Sequence, residues 1–404
     1  MPEGVPELAG LGVLTWVYPP DVVDRVVAAC DRAEQRRRLL PTRLVVYFVL
    51  AMALFSPAPY LEVLRHLVQG LREAGRWGAW RVPAKSSLFR ARERLGARPL
   101  RVLFAATARP LATAATPGAF WRGLRLVAVD GTCWDAADTP ANAQAFGRPG
   151  SRQGPGGGAF PQVRMVALVE CGTHAILDAE LEGCRVGEIT LTTRLVRSLG
   201  PGMLVLADRE FLGVPLWRAC TATGAHLLWR VPANRLLEVD QALPDGSWRS
   251  SIYAAGDRPT RRRPVRVRVV AYDLDDPARP GEGGYRLVTD LLDHERYPAG
   301  ELAALYAQRW EEETALAELK THQRGPGVVL TSKTPEGIRQ QLWAHLLVHH
   351  ALRALICRTA AAGGVDCDRL SFTDTLRAVR RSVTTAPGVF SPAAPGHRAH
   401  LAAG

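Results

Sequence analysis

The sequence predicts an α/β protein, with a mixed-sheet core, an α-helical region before it and a β-rich insertion inside it. Three observations carry that expectation. Residues 1–110 hold dense apolar spacing of helical period. From residue 123 the order becomes strand, strand, strand, helix, strand, helix, strand. Residues 232–300 then break into Pro- and Gly-turned strand signals before a Glu/Ala/Leu-rich helix.

In the helical region, residues 22–29, 41–55 and 60–71 are densely apolar, with Arg36, Arg37 and Arg38 between the first two. Lys85-Ser86-Ser87 opens a short helix through Arg90, Arg92 and Arg94 to Leu95, a serine serving as its cap. A small DNA-binding domain with a basic last helix fits this arrangement; so does a solvated basic helix. The apolar run at 44–55 is shorter than the roughly 20 residues a membrane helix needs, and no secretory pattern opens the chain. A cytoplasmic protein with no membrane partner is expected.

In the core, residues 124–129 form a β-branched run ending at Asp130-Gly131-Thr132. Residues 163–169 and 174–181 read as a hairpin about Cys171-Gly172, 188–199 as a helix, and 203–207 as a fourth strand ending at Asp208. A helix near 214–222 and a strand at 226–231 follow. This is the order of a ribonuclease H-like fold. Both aspartates are expected at strand ends, where side chains emerge into a cleft. The glycine-rich stretch 148–158 lacks the spacing of a phosphate loop. Strands are expected at 265–272 and 285–292 within the insertion.

The expected organisation is a helical N-terminal domain over 1–115, a first core segment over 116–231, the insertion over 232–300, and the catalytic and C-terminal helices over 301–385. A tail without ordered structure is expected over 386–404.

Net charge is +12, from 51 basic against 39 acidic residues, which favours a polyanionic partner such as nucleic acid. Lysine occurs at Lys85, Lys320 and Lys333 alone, so each stands out against an arginine background. Seven cysteines without a C-x-x-C pair argue against a disulfide framework or zinc finger. Adjacent His349 and His350 read as structural.

Residues 301–320 carry the chemistry. Rich in Ala, Leu and Glu and without Gly or Pro, they read as helix. At roughly 100° per residue, Tyr306, Arg309, Glu313 and Lys320 fall at about 0°, −60°, −20° and −40°, one stripe, whereas Glu311, Glu312 and Glu318 lie roughly 100° or more from Tyr306. A carboxylate flanked by Arg and Lys suits a metal ion and phosphates. The same spacing also suits a plain i,i+4 surface pair. Asp135 and Asp138 read as loop acids beyond the strand end. Glu210 is the nearest substitute for Asp208, and Arg261, Arg262 and Arg263 are possible phosphate contacts.

The Y-x2-R-x3-E-x6-K pattern of Tyr306, Arg309, Glu313 and Lys320 resembles the signature of the insertion sequence 4 family of bacterial DDE transposases. Val127-Ala-Val-Asp130-Gly-Thr resembles that family's first aspartate motif, and Leu206-Ala-Asp208-Arg-Glu-Phe its second. The resemblance spans roughly residues 13 to 360. It implies that Asp130, Asp208 and Glu313 bind two Mg²⁺ or Mn²⁺ ions that drive DNA cleavage and strand transfer. It also implies that Tyr306, Arg309 and Lys320 hold phosphates, and that a hairpin forms on the transposon end. Tyr285 aligns with an aromatic that stacks on a flipped base, although relatives often carry Trp there, and a plain strand residue fits equally. The implied partners are double-stranded DNA, at transposon ends and target, and a second copy in a homodimer. Two alternatives stand beside this reading: a ribonuclease H-like nuclease without strand transfer, and an inactive transposon-derived DNA-binding protein.

Overall fold

The computed structural model describes residues 12–34, 40–73, 83–149, 160–273 and 284–385. Arg36, Arg37 and Arg38, most of the glycine-rich stretch and the tail from 386 lie outside the described residues.

Six helices come first: α1 (Gly12–Val17), α2 (Pro20–Ala29), α3 (Thr42–Leu54), α4 (Tyr60–Glu73), α5 (Lys85–Leu95) and α6 (Arg98–Thr107). Proline in the first turn of α2 and α6 is at no cost there, because those N–H groups have no helical partner. The α5 helix stops at Gly96, whose φ of 69° suits glycine. Its N-cap is Ala84 with no side-chain cap, so the serines after Lys85 do not play the role their position suggests. Helix α3 is apolar nearly all round and buried nearly all round. That explains a run too short for a bilayer; among the described residues no helix is long and apolar enough to cross one.

The core follows as β1 (Phe120–Trp121), β2 (Leu124–Asp135), α7 (Pro140–Phe146), β3 (Gln162–Glu170), β4 (Ala175–Gly183), α8 (Glu188–Leu195), β5 (Met203–Ala207), α9 (Val214–Thr221) and β6 (His226–Arg230). The insertion adds β7 (Gln241–Ala242), β8 (Trp248–Ile252), β9 (Val265–Tyr272) and β10 (Tyr285–Thr289). Four helices close the described chain: α10 (Ala299–Tyr306), α11 (Trp310–Ala317), α12 (Pro335–Gly363) and α13 (Phe372–Thr385).

The described strands form one sheet in the order β4-β3-β2-β5-β6-β10-β9-β8-β7, with β1 beside β2. β2, β3 and β4 are antiparallel, β5 runs parallel to β2, and β6 parallel to β5. That is the ribonuclease H-like arrangement. The insertion joins the same sheet, because β10 pairs antiparallel with β6. Buried Arg268 on β9 donates to Ser247 Oγ (2.8 Å) and pairs with Asp245. Asp245 also accepts from the Ala299 N–H (3.0 Å), so the insertion fixes where α10 begins.

Three apolar clusters fill the layers. One lies between the sheet and α8 and α9; a second lies between the sheet and α10. The third joins α1 to α6 with α12, α13 and residues of β2 to β4 such as Trp134 and Met165. The N-terminal helices therefore share their core with the C-terminal ones.

The histidines of α12 sit in that shared core. Burial lowers His345 to about 3 and His350 to about 4, from an ordinary 6.5, with Arg324 and Arg380 adding to the effect at His345. The unfolded chain thus takes up protons that the folded chain refuses. Stability is full above pH 6.5 and falls as pH drops toward 4, by about 2 kcal/mol per histidine at pH 5. Urea melts at pH 7 and pH 5 should show this fall, and His350→Gln should reduce it. Equal midpoints at the two pH values would rule the coupling out.

Candidate active site

Strand alternation places the two aspartates. Val127 and Val129 of β2, with Val205 and Ala207 of β5, pack toward α8 and α9. Leu126, Ala128, Leu204 and Leu206 pack toward α10. The period of two then sends Asp130 and Asp208 to the α10 face. Val129 pairs with Ala207, so the aspartates come next on parallel neighbours spaced roughly 4.8 Å apart.

The strand-end expectation holds for Asp208, which follows the last residue of β5. It does not hold for Asp130. β2 runs on to Asp135, so Asp130 sits mid-strand, and it opens to the surface because β5 stops beside it. Its side chain is 26% exposed. Asp135 likewise is a strand residue, not a loop acid: it pairs with Gln162, whose side chain donates to it at 2.8 Å. Asp138 pairs with Arg148.

The Tyr306 to Lys320 segment is helical but not one uniform α-helix. A 3-10 turn over Ala307–Arg309 separates α10 from α11, and a π-helical turn covers Glu318–Gln323. Local changes of pitch of this kind re-aim side chains and recur at functional sites. Arg309 is 5% exposed and joins two of the three acids, 3.1 Å from Glu313 and 3.8 Å from Asp130. Tyr306 is buried, and its hydroxyl donates to the Ala207 carbonyl at 3.1 Å. It ties α10 to the residue before Asp208 and presents no free hydroxyl to a phosphate. Burial pushes its phenol well above the usual range. Lys320 Nζ donates to Thr132 Oγ1 at 3.3 Å, within the first aspartate motif.

Tyr285 lies at the end of an aromatic line. Its ring is 5.6 Å from Tyr272, which is 6.4 Å from Tyr306, and Arg230 stacks over Tyr285 at 4.4 Å. Tyr272 is opposite Tyr285 in the β9–β10 register, a partnership that only strand pairing reveals. Trp310, 53% exposed, stands under Arg309 at 5.1 Å. Arg261 pairs with Glu238 and Arg263 with Asp257, so these two arginines of the run are engaged within the chain.

Two acids escaped the sequence reading. Glu188 caps no obvious motif, yet its carboxyl packs where a Gly131 Cβ would stand, 2.7 Å from Glu188 Cδ. That explains why glycine follows Asp130. Burial pushes Glu188 up, and the charges of Asp130 and Glu210 add to this against nearby Arg164. Glu318 is 5% exposed and bonds His349 (3.2 Å), Arg353 (2.8 Å) and His174 (3.4 Å). Its wheel position did separate it from Glu313, but nothing local announced its partners.

Carboxylate oxygens are the donors that Mg²⁺ and Mn²⁺ prefer, so Asp130, Asp208 and Glu313 fit such ions chemically. Among the described residues, the tightest ligand groups are His174–Glu311–Asp368 and Asp366–Cys367–Asp368, each within 4.8 Å. The three acids are not drawn that close. Arg309 stands between two of them.

The family model for the insertion element 4 transposase N-terminal region matches residues 8–105, and that for the transposase DDE domain matches residues 121–350. The transposase InsG for insertion sequence element IS4 of Escherichia coli (strain K12) is 30% identical over 371 residues, covering 91% of this chain and 82% of the relative. A cryo-EM structure of a piggyBac transposase synaptic complex with hairpin DNA covers 97% of this chain and 83% of its own, at 13% identity and a TM-score of 0.49.

Proposed function

The chain belongs to the insertion element 4 family of DDE transposases, DNA-cleaving and strand-transferring enzymes that use divalent metal, and from that membership we propose that Asp130, Asp208 and Glu313 are its metal-binding catalytic triad. The observation that carries the reading is Arg309, which contacts Glu313 and approaches Asp130 from the turn between α10 and α11. These carboxylates would hold two ions, Mg²⁺ or Mn²⁺, which when bound would neutralise charge developing on the phosphoryl group.

The chain's own residues have separate tasks in this reading. Asp130 and Asp208 are held by the sheet, while Glu313, 46% exposed, has the rotamer freedom to close on them. Arg309 offsets the repulsion between the acids. Its Nε is buried without a partner in the chain, which marks a donor placed for a reacting anion. Tyr306 positions the Ala207–Asp208 strand end, and Lys320 supplies a phosphate contact beside Thr132. Tyr285, backed by Tyr272, offers a face for an unstacked base, worth about 1–3 kcal/mol. The reaction is cut-and-paste transposition: cleavage at the element's ends, then attack by the freed 3′-hydroxyl on target DNA, within a homodimer that holds two ends.

A transposon-end duplex labelled at its 3′ strand tests this in the presence of Mg²⁺ and a target plasmid. Labelled end joined to plasmid is expected. Cut ends that never join would reduce the reaction to nucleolysis, and binding without cutting would leave a DNA-binding relic. Lys320→Ala should weaken end binding evenly across sequences and reduce the salt slope by about 1. An unchanged slope would remove Lys320 from the phosphates.

A further inference from the structure

Behind the proposed triad, the turn between β3 and β4, the helix α11 and the segment after α12 meet at one side chain, His174. It is 6% exposed, and its Nε2 lies 3.8 Å from a Glu311 oxygen and 3.5 Å from an Asp368 oxygen. All three ligand atoms lie within 4.8 Å of one another. Those separations exceed the usual N–H···O range of roughly 2.7–3.2 Å. The 3.5 Å separation matches donors sharing one ion, since two ligands at about 2.0–2.2 Å in tetrahedral geometry stand roughly 3.3–3.6 Å apart, and the 3.8 Å one asks the Glu311 carboxylate to close by about 0.2–0.5 Å.

The surroundings suit a cation in two further ways. Glu318 Oε1 is 3.4 Å from His174 Nδ1, the place of the carboxylate that commonly backs a metal-bound imidazole and takes its ring proton. Arg353 Nη2 also lies against Nδ1; with an ion on Nε2 that nitrogen carries the ring proton, so Arg353 must turn from it and keep its two bonds to Glu318. Glu311, Glu318, Asp366 and Asp368 crowd four carboxylates around His174 and Arg353. A divalent ion would balance that excess negative charge. Asp368, 41% exposed, leaves the corner open for an ion to enter and for water to complete its coordination.

We propose that His174, Glu311 and Asp368 form a second divalent-cation site, distinct from the triad, for an imidazole-preferring ion such as Zn²⁺. Glu311 and Glu313 point roughly 200° apart on α11. An ion on Glu311 would therefore pin the far side of the helix that carries Glu313, and hold it against the β3–β4 turn. The site is structural, and it does not depend on which acids perform the chemistry.

The test uses the full chain with Asp130→Asn and Asp208→Asn, which weakens the triad as a competing binder. After chelation, Zn²⁺ is added and excess removed by desalting, and bound metal is measured by mass spectrometry and equilibrium dialysis. One retained Zn²⁺ per chain is expected. Adding Asp368→Asn, at a partly exposed position, should weaken retention by at least about 100-fold, beyond what loss of an outer partner typically does. His174→Asn should do the same; Asn tolerates the left-handed backbone at that position (φ 55°). Circular dichroism checks that each variant is folded. A double variant that retains no Zn²⁺, or a retained Zn²⁺ indifferent to both further substitutions, would overturn the proposal.

Discussion

Asp208→Ala is expected to abolish cleavage of the transposon end while leaving binding of that end within about twofold. Asp208 follows β5, faces α10, and its carboxylate accepts from the Arg209 N–H at 2.6 Å, a contact confined to the next residue. Its removal leaves the fold intact and takes away one of three proposed metal-binding carboxylates. Metal assistance of phosphoryl transfer contributes several kcal/mol of transition-state stabilisation, and each 1.36 kcal/mol is tenfold in rate. The loss should therefore reach at least about a thousandfold. Binding depends on phosphate contacts spread over the basic surface, which this change leaves in place. Single-turnover cleavage and gel-shift titrations on the same preparation read both quantities. Cleavage at the parental rate would remove Asp208 from the site, and a matching loss of binding would point to misfolding.

The second large effect is on stability. Glu318→Ala should cost about 3–5 kcal/mol, because it strands the Arg353 guanidinium, 2% exposed, without its carboxylate. Burial alone would raise the Glu318 carboxyl, yet hydrogen bonds from His174 and His349 and the charge of Arg353 hold it well below its ordinary value. A carboxyl lowered in the fold contributes stability above its unfolded value near 4.5, and that contribution is lost as pH falls below it. Acid sensitivity from this group thus begins near pH 4.5, where the buried α12 histidines are still adding theirs. Urea denaturation at pH 7 measures the cost, and a change under about 1 kcal/mol would show that the network relaxes around the loss. Arg353→Met with Glu318→Leu should recover only part of the stability, since it removes the stranded guanidinium but leaves buried His174 and His349 without their acceptor.

The expected strands at 203–207 and 265–272 coincide with β5 and β9. β-branched apolar runs between turn residues write their period directly into the chain. The place of Asp208, next after β5, was legible for the same local reason. Asp130 shows where that reasoning stops. Its strand continues five residues further, and the opening beside it is made by the end of a different strand. Lys85-Ser86-Ser87 was misread at the cap because the helix begins at Lys85 itself. Glu188 gave no signal, since its contact with Gly131 depends on a helix crossing a strand far away in the chain.

The order of elements, the basic balance and the Tyr-Arg-Glu-Lys spacing were determined by the amino-acid sequence alone, because each is a property of neighbours along a chain. Tertiary structure decided how those parts are used. It turned Tyr306 inward onto the Ala207 carbonyl, set Arg309 between two acids, and merged the N-terminal helices with α12 in one core. It also drew His174, Glu311 and Asp368 together from three separate segments. The reason is physical: burial and charge pairing act between groups close in space, and no local period records which distant residues will meet.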